Sequence, residues 1–346
     1  MRILIVTDAW TPQVNGVVTT LSQVGDCLAK DGHDVLFVTP GRFRTIPCPT
    51  YPEIRLALFP RRRFRRLAEA FRPEAIHIAT EGPLGHVARA YCLRRGLPFT
   101  SAYHTQFPQY LRLRFPIPER ASYAYLRRFH RPAVRTLVPT ETVRQELVRR
   151  GFEHVVLWSR GVDTELFHPR PKSFIQAPRP VAMYVGRVAV EKNLEAFLQL
   201  DLPGSKFVVG RGPALESLRR KYPRVHFVGF KSGEQLASYM AAADVFVFPS
   251  RTDTFGLTML EAMASGVPVA AYPVTGPRDV VRHGETGFLH EDLRTAVLRA
   301  LELDPAVCTA YARTCTWQAC ARQLLANLAP IGARAGAVIT RSAAAG

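Results

Sequence analysis

The sequence of 346 residues lacks any long run of apolar residues. A helix that spans a membrane needs about 18 or more apolar residues in succession, so no such helix is predicted. The first ten residues, MRILIVTDAW, hold a short apolar segment that an acid follows at once, with no small-residue cleavage site after it. This beginning predicts a first β-strand rather than a signal peptide, and we expect a cytoplasmic protein.

Groups of residues at metal-binding spacing are also missing. No Asp-x-Asp pair occurs, and the nearest acidic pair, Asp163 and Glu165, lies beside a proline-rich segment. The six cysteines are scattered without a Cys-x-x-Cys pair, which is typical of reduced thiols, and no His/Cys cluster has zinc spacing. We therefore expect neither a metal nor a cofactor.

Acidic residues are few: 28 Asp and Glu stand against 46 Lys and Arg, which gives a formal net charge of +18. A field of this sign favours anionic partners, such as nucleotide phosphates, anionic lipid headgroups or nucleic acid. The same excess also fits a surface that is simply rich in arginine. Charge alone therefore does not decide the function.

Short β-rich apolar runs alternate with helical patterns, which predicts an α/β protein with parallel sheets and right-handed crossovers. We expect two domains, 1–166 and 181–330, joined by a proline-dense linker at 167–180 and followed by a flexible tail at 331–346. Ligands of such sheets bind beyond the carboxyl ends of the strands, so the cleft between the domains is the expected site. The predicted strands are 3–6, 35–38, 75–78, 99–102, 136–138, 155–157, 181–185, 206–209, 225–228, 245–248 and 267–271.

The segment most suggestive of chemistry runs from Pro249 to Gly266, directly after an apolar run. A strand, a polar loop and a helix that starts near Leu257 leave free backbone N–H groups that can hold phosphate oxygens. Asp253 before this helix and Glu261 on it are spaced to reach opposite ends of a sugar nucleotide. The alternative is that Asp253 caps the helix and Glu261 is solvated, although an unpaired carboxylate among apolar neighbours is costly.

This segment resembles glycosyltransferase family 4, whose fold is called GT-B. The family has an acidic pair with E-x7-E spacing; here Asp253, one methylene shorter, takes the first position and Glu261 the second. TDTFG followed by an intact Glu is similar to mannosyltransferase-like and sulfoquinovosyl-type members. The resemblance implies that Phe255, Gly256 and Leu257 bind the donor.

The resemblance covers nearly the whole chain and also implies its architecture. Two Rossmann-like domains are expected to face each other across a cleft, the first binding the acceptor and the second the donor. A C-terminal helix around 306–328 is expected to cross back to the first domain.

Arg187 and Lys192 follow the first predicted strand of the second domain. Two fixed cations suit a diphosphate leaving group, because negative charge grows on it as the glycosidic bond breaks. Taken alone, the two are better explained as surface cations, one of them paired with Glu191, whereas beside the acidic loop the diphosphate role is favoured. In the family, this arginine and lysine hold the donor diphosphate.

Three further segments resemble the family, and a glycine turn is a fourth candidate. Gly16 opens a predicted helix and is expected to face the donor; the alternative is a turn glycine. His104 closes a strand and resembles the family's HT-x-F motif, in which the histidine lies near the transferred sugar; a lone histidine is otherwise structural. Gly210 and Gly212 form a glycine turn expected to line the nucleotide side, and 160–163 read RGVD, a family segment or only a hinge turn.

Two basic segments bear on the acceptor. Arg61 to Arg66 place five arginines around Phe64, and 111–116 alternate basic with apolar residues. Both segments fit an anionic membrane surface, and both fit a solvated basic face.

The sequence thus predicts a retaining, metal-independent glycosyltransferase that moves a hexose to a lipid or saccharide acceptor. By resemblance the donor is GDP-mannose, with UDP-sugars such as UDP-glucose as the alternative. Two other classes remain open: a sugar-nucleotide 2-epimerase of the same fold, and a non-catalytic basic protein that binds lipid or nucleic acid. We expect the enzyme to be peripheral on the cytoplasmic membrane and to have no specific nucleic-acid partner.

Overall fold

The computed structural model describes residues 1–48, 51–106, 108 and 118–332. The first domain is built on a sheet of six parallel strands, with an antiparallel pair beside it. Its central strands are buried along their whole length, as expected for a parallel sheet with helices on both faces. The strands are β1 (Arg2–Val6), β2 (Asp34–Val38), β3 (Thr45–Cys48), β4 (Tyr51–Ala57), β5 (Ala75–Ile78), β6 (Thr100–Ala102), β7 (Arg135–Val138) and β8 (Val155–Leu157).

The sheet has the order β2-β1-β5-β6-β7-β8, and β3 pairs with β4 in a separate two-stranded sheet. Helices connect the strands and cover both faces. Asn15 caps the first helix, because its side-chain oxygen accepts hydrogen bonds from the amides of Val17 and Val18. The helices are α1 (Gly16–Lys30), α2 (Arg61–Phe71), α3 (Pro83–Arg95), α4 (Glu119–His130) and α5 (Glu141–Arg149).

The second domain also has six parallel strands, and its core contains the apolar side chains of both sheet faces. The strands are β9 (Val181–Val185), β10 (Ser205–Val209), β11 (His226–Gly229), β12 (Val245–Phe248), β13 (Val269–Ala271) and β14 (Gly287–Leu289). The helices are α6 (Leu194–Leu198), α7 (Leu215–Lys221), α8 (Gly233–Ala242), α9 (Leu257–Ala264), α10 (Pro277–Val280), α11 (Leu293–Ala300) and α12 (Pro305–Ala312). The last described helix of the chain, α13 (Trp317–Asn327), packs on the first domain.

The order of this sheet is β11-β10-β9-β12-β13-β14. The chain moves outward on one side from β9 to β11 and then returns to lay β12 on the other side of β9. The predicted fold of two Rossmann-like domains is confirmed.

The proline-rich segment 167–180 packs against the second domain. Phe167 and Ile175 are buried in its core. Lys172 Nζ and Arg179 Nη2 each lie 2.7 Å from the same oxygen of Asp244. These contacts make the segment an ordered connection on the second domain rather than a free tether.

The C-terminal segment, predicted as one helix, consists of two. α12 packs against α9 in the second domain, and α13 packs against α1 in the first. Between them the chain meets the earlier connection, where Val162 N donates to Cys315 O at 3.0 Å. A Cβ on Gly161 would lie 2.4 Å from Trp317 N, so glycine is required where the two connections cross. The helix is interrupted because the chain passes between domains there.

Candidate active site

The order in which the chain adds strands to the second sheet reverses between β9 and β12. Ligands of open α/β sheets bind beyond the carboxyl ends of the strands at such a switch point. The loops that follow these two strands are joined by hydrogen bonds. Asn193 Nδ2 donates to Pro249 O at 3.1 Å, and Thr252 Oγ1 donates to Glu191 O at 3.4 Å. Residues predicted from separate motifs therefore meet at one edge of the sheet.

Lys192 and Asp253 form an ion pair at this edge. Lys192 Nζ lies 2.5 Å from Asp253 Oδ1, and the two side chains are 21% and 15% exposed. The other carboxylate oxygen, Asp253 Oδ2, is buried and has no hydrogen-bond partner among the described residues. The sequence motifs place Lys192 at the diphosphate and Asp253 at the sugar; in the folded chain the two groups touch.

Arg187 follows β9 in the loop that also carries Lys192. Its side chain is half-buried, and its carbonyl accepts a hydrogen bond from the hydroxyl of Tyr184 at 2.8 Å. A Cβ on the preceding Gly186, at a φ of 154°, would meet that same hydroxyl at 2.7 Å. The hydroxyl of Tyr184 therefore supports the turn at which Arg187 follows β9.

Glu261 lies on α9, eight residues beyond Asp253, and is partly buried. Loss of water around it raises the pKa of its carboxyl to about 7, and no compensating cation or hydrogen bond contributes to that shift. The alternative that Asp253 caps this helix is wrong: the cap position is Gly256, at a φ of 86°, with no side-chain cap. The start of α9 therefore has no side-chain cap, a feature that an anion-binding helix end shares.

The three donor-binding residues predicted at this helix start differ in environment. Phe255 is only 8% exposed and belongs to the core of the second domain. Leu257 packs against the cores of both domains. A Cβ on Gly16 would lie 3.3 Å from Leu257 Cδ1, so Gly16 and Leu257 face each other across the cleft.

His104 is 9% exposed and follows β6 of the first domain. Its carbonyl accepts a hydrogen bond of 2.7 Å from Thr254 Oγ1, in the loop of Asp253. Its ring nitrogen Nδ1 lies 3.1 Å from Arg160 Nη2, while Nε2 is buried without a partner among the described residues. Burial first, and then the charge of Arg160, holds the pKa of His104 well below its usual range. The ring is therefore neutral, and it is tied to the donor-side loop of the second domain.

Gly210 and Gly212 serve close backbone packing. A Cβ on Gly210 would lie 1.9 Å from Gly186 O, and a Cβ on Gly212 would lie 2.2 Å from Val188 O. The glycine turn after β10 thus rests directly on the loop that carries Arg187. This contact explains the glycines without a ligand, and their contact with the donor stays a prediction.

Arg160 is the residue of the site that the sequence does not identify. In the sequence it is only the first residue of the RGVD segment, whereas the structure buries it beside His104. Its one signal is an arginine close to a tryptophan and a glycine at a domain connection. Nothing in that pattern shows which side chain it meets 56 positions earlier.

The basic helix α2 differs from the prediction in one respect. Phe64 is fully buried in the core of the first domain, so it is not a surface aromatic among the arginines. An aromatic does stand nearby: Phe59, just before the helix, is 94% exposed. The second basic segment, 111–116, lies outside the described residues. The five arginines, all exposed, are Arg61, Arg62, Arg63, Arg65 and Arg66.

Metal clusters and membrane-spanning helices are both missing from the described part of the chain. Within those ranges, no cluster of three or more His, Cys, Asp or Glu is arranged to hold a metal ion. In the same residues, every helix is too short or too polar to cross a bilayer.

Two family models match the chain, one on each domain. Residues 14–166 match Glycosyltransferase Family 4, and residues 179–303 match Glycosyl transferases group 1. A GDP-mannose-dependent alpha-mannosyltransferase of Mycobacterium tuberculosis is 31% identical over 84% of this chain and 83% of its own length. The sulfoquinovosyl transferase SQD2 of Arabidopsis thaliana is 34% identical over 71% of this chain and 52% of its own.

Solved structures show the same fold. Sucrose-phosphate synthase from Thermosynechococcus elongatus superposes with a TM-score of 0.74 at 24% identity, over 93% of this chain and 97% of that one. HepE of Anabaena, solved with UDP and glucose, superposes with a TM-score of 0.69 at 17% identity, over 94% of this chain and 98% of its own.

Proposed function

Because this chain belongs to glycosyltransferase family 4 and is an enzyme, we propose that it moves mannose from GDP-mannose to a lipid or saccharide hydroxyl with retention of anomeric configuration. The observation that carries the proposal is the meeting of Lys192, Asp253 and the uncapped start of α9 at the switch point of the second sheet. The non-catalytic alternative is set aside by the family membership.

The donor diphosphate fits the edge between β9 and β12. Arg187 and Lys192 lie on the loop after β9, and α9, whose start has no side-chain cap, follows the neighbouring strand β12. Charge grows on the diphosphate as the glycosidic bond breaks, and preorganised cations and helix dipoles stabilise that charge. The ion pair with Asp253 keeps Lys192 in position before the donor arrives.

The transferred sugar is assigned to the region between His104 and Asp253. Two buried polar atoms lack partners there among the described residues, His104 Nε2 and Asp253 Oδ2. Leaving such atoms unpaired is costly, and a hydroxyl-rich ligand would satisfy both a donor and an acceptor. Thr254 connects the two residues, since it adjoins Asp253 and donates to the carbonyl of His104.

Charge neutralisation is proposed to come from Arg187, Lys192 and the dipole of α9 rather than from a metal. The leaving phosphate itself would then deprotonate the acceptor on the same face. Glu261, with a pKa raised to about 7, is proposed to accept hydrogen bonds from the donor once it is ionised.

For the acceptor, the exposed arginines of α2 and the exposed ring of Phe59 favour an anionic membrane surface. Clustered cations attract anionic headgroups, and an aromatic ring inserts at the interface. We propose a lipid-linked acceptor presented at the cytoplasmic face of a membrane.

A UDP-sugar donor is the second candidate, because HepE, which shares the fold, was solved with UDP and glucose. The test is thermal stabilisation and donor hydrolysis over a panel of GDP- and UDP-sugars, with ADP-glucose as the control nucleotide. GDP-mannose should be hydrolysed fastest, and GDP should raise the Tm more than UDP by mass action on the folded state. If a UDP-sugar is hydrolysed faster than GDP-mannose, that UDP-sugar becomes the proposed donor. The anomeric configuration of the mannosyl product is then read by NMR.

A further inference from the structure

Arg160 is a buried arginine with no carboxylate partner among the described residues. It is 5% exposed, and its Nη1 donates to the carbonyls of Trp158 and Ser159. Its guanidinium also lies over the Trp158 ring, 4.7 Å from the ring centroid. Burying a cation without an acid is costly, so the arrangement needs a reason beyond packing.

The remaining contact of the guanidinium supplies that reason. Arg160 Nη2 lies 3.1 Å from His104 Nδ1. An arginine only donates hydrogen bonds, so Nδ1 must accept, and the proton of the neutral imidazole must sit on Nε2. This Nε2–H is buried and has no acceptor among the described residues.

We propose that Arg160 is a positioning residue that holds His104 as the neutral Nε2–H tautomer, so that Nε2 donates a hydrogen bond to a hydroxyl of the transferred sugar. The inference rests on the proposed function, because it needs the sugar to lie beside His104. It adds to that function the group that decides which ring nitrogen faces the substrate.

Three groups on neighbouring elements act in the same direction. Arg160 from the domain connection, His77 from β5 and His130 from α4 all disfavour a charged His104 ring. Burial lowers the pKa of Arg160 only to about 10, so its charge persists at neutral pH. The Trp158 ring packs edge-on against both His104 and His77, with ring centroids 5.5 Å apart in each pair.

The first test uses the wild-type protein without donor. Histidine labelled with ¹⁵N, with His104 assigned by loss of its signals in His104→Gln, should show a protonated Nε2 and an unprotonated Nδ1 from pH 6 to 8. A protonated Nδ1, or an even mixture of tautomers, overturns the proposal. This measurement needs no folded Arg160 variant.

The second test compares Arg160→Met with Arg89→Met. Arg89 is a matched control, because it too holds backbone carbonyls in the first domain, those of Phe129 and Arg128, without touching His104. In Arg160→Met we expect a mixed tautomer and a kcat about tenfold lower on the confirmed donor, the scale of one lost hydrogen bond. Arg89→Met should keep both at the wild-type values.

The outcomes separate the inference from the proposed function. If Arg160→Met retains the wild-type tautomer, Arg160 is not the positioning group. If the tautomer changes while turnover stays normal, His104 Nε2 does not serve the sugar, and the inference fails although the enzyme remains a transferase. If the wild type hydrolyses no nucleotide sugar, it is the proposed function that fails.

Discussion

Glu261 offers a test in which stability and function move in opposite directions. Burial raises the pKa of its carboxyl from 4.5 to about 7. A pKa difference of one between the folded and the unfolded chain corresponds to about 1.4 kcal/mol, so keeping Glu261 ionised in the folded chain costs about 3 kcal/mol. Below pH 4.5 the group is protonated in both states and the cost vanishes. Between pH 4.5 and 7 the unfolded chain releases its proton first, so the free energy of unfolding falls with rising pH; above pH 7 the whole cost is present.

Glu261→Gln removes that cost because the amide stays neutral. We expect the variant and the wild type to unfold alike near pH 4.5, and the variant to be more stable by up to about 3 kcal/mol at pH 8. Urea unfolding at four pH values between 4.5 and 8 measures the difference. The exposed Glu153 provides the control, since Glu153→Gln should show no comparable trend. A Glu261→Gln difference that does not change with pH would mean that the carboxyl is well solvated in the folded protein.

Donor binding should respond in the opposite sense. If the ionised carboxylate accepts hydrogen bonds from the donor, the competent fraction rises from about 9% at pH 6 to about 91% at pH 8, and the affinity rises roughly tenfold. GDP-mannose is the appropriate ligand, because the terminal phosphate of GDP titrates in the same range. Calorimetry at both pH values should show the rise in the wild type and none in Glu261→Gln, whose affinity should be low throughout. Equal binding by the two proteins at pH 8 refutes the role of Glu261.

Four further outcomes are expected. Arg187→Ala and Lys192→Ala should each lower kcat about 10²-fold and weaken GDP binding, because each removes a preorganised cation; near-normal turnover in both would place the diphosphate elsewhere. Asp253→Asn should alter the choice among donor sugars in a competition assay, since it frees Lys192 and removes an acceptor. Activity should survive excess EDTA, and a loss that Mg²⁺ or Mn²⁺ restores would reveal a metal site. The protein should co-sediment with anionic but not neutral vesicles at low salt and be released near 1 M salt, where the Debye length is about 3 Å. Each cation contributes roughly 1 kcal/mol at such a surface, so the preference for anionic vesicles should disappear when serine replaces Arg61, Arg62, Arg63, Arg65 and Arg66. Phe59→Ser should weaken this preference less. If the wild type does not bind anionic vesicles, the basic helix is a solvated face, and a soluble saccharide acceptor is favoured.

Most of the fold could be read from the sequence, because a buried parallel strand is a short apolar run that needs no knowledge of its neighbours. The predicted runs at 75–78, 181–185 and 245–248 coincide with β5, β9 and β12. The sequence does not predict β3, β4 or β14. Pro47 and Pro52 lie in the antiparallel pair and argue against a strand, and β14 is only three residues long.

The positions of the active loops also follow from the sequence, since they are the polar, glycine-containing segments directly after buried strands. The arginines around Phe64 suggest a surface aromatic, yet the helical turn directs its ring into the core. This burial follows the helical spacing of Phe64, Leu67, Ala68 and Phe71, which all pack into that core. The signal is local, and the cluster of arginines masks it.

Only the tertiary structure decided which polar side chains meet. Lys192 and Asp253 are 61 positions apart, and Arg160 and His104 are 56 apart. The first pair exists because β9 and β12 are neighbours at the switch point of the sheet. The second exists because the connection between the domains runs back past the end of β6. Sequence patterns report local preference, whereas these contacts depend on strand order and on the path of the chain between the domains.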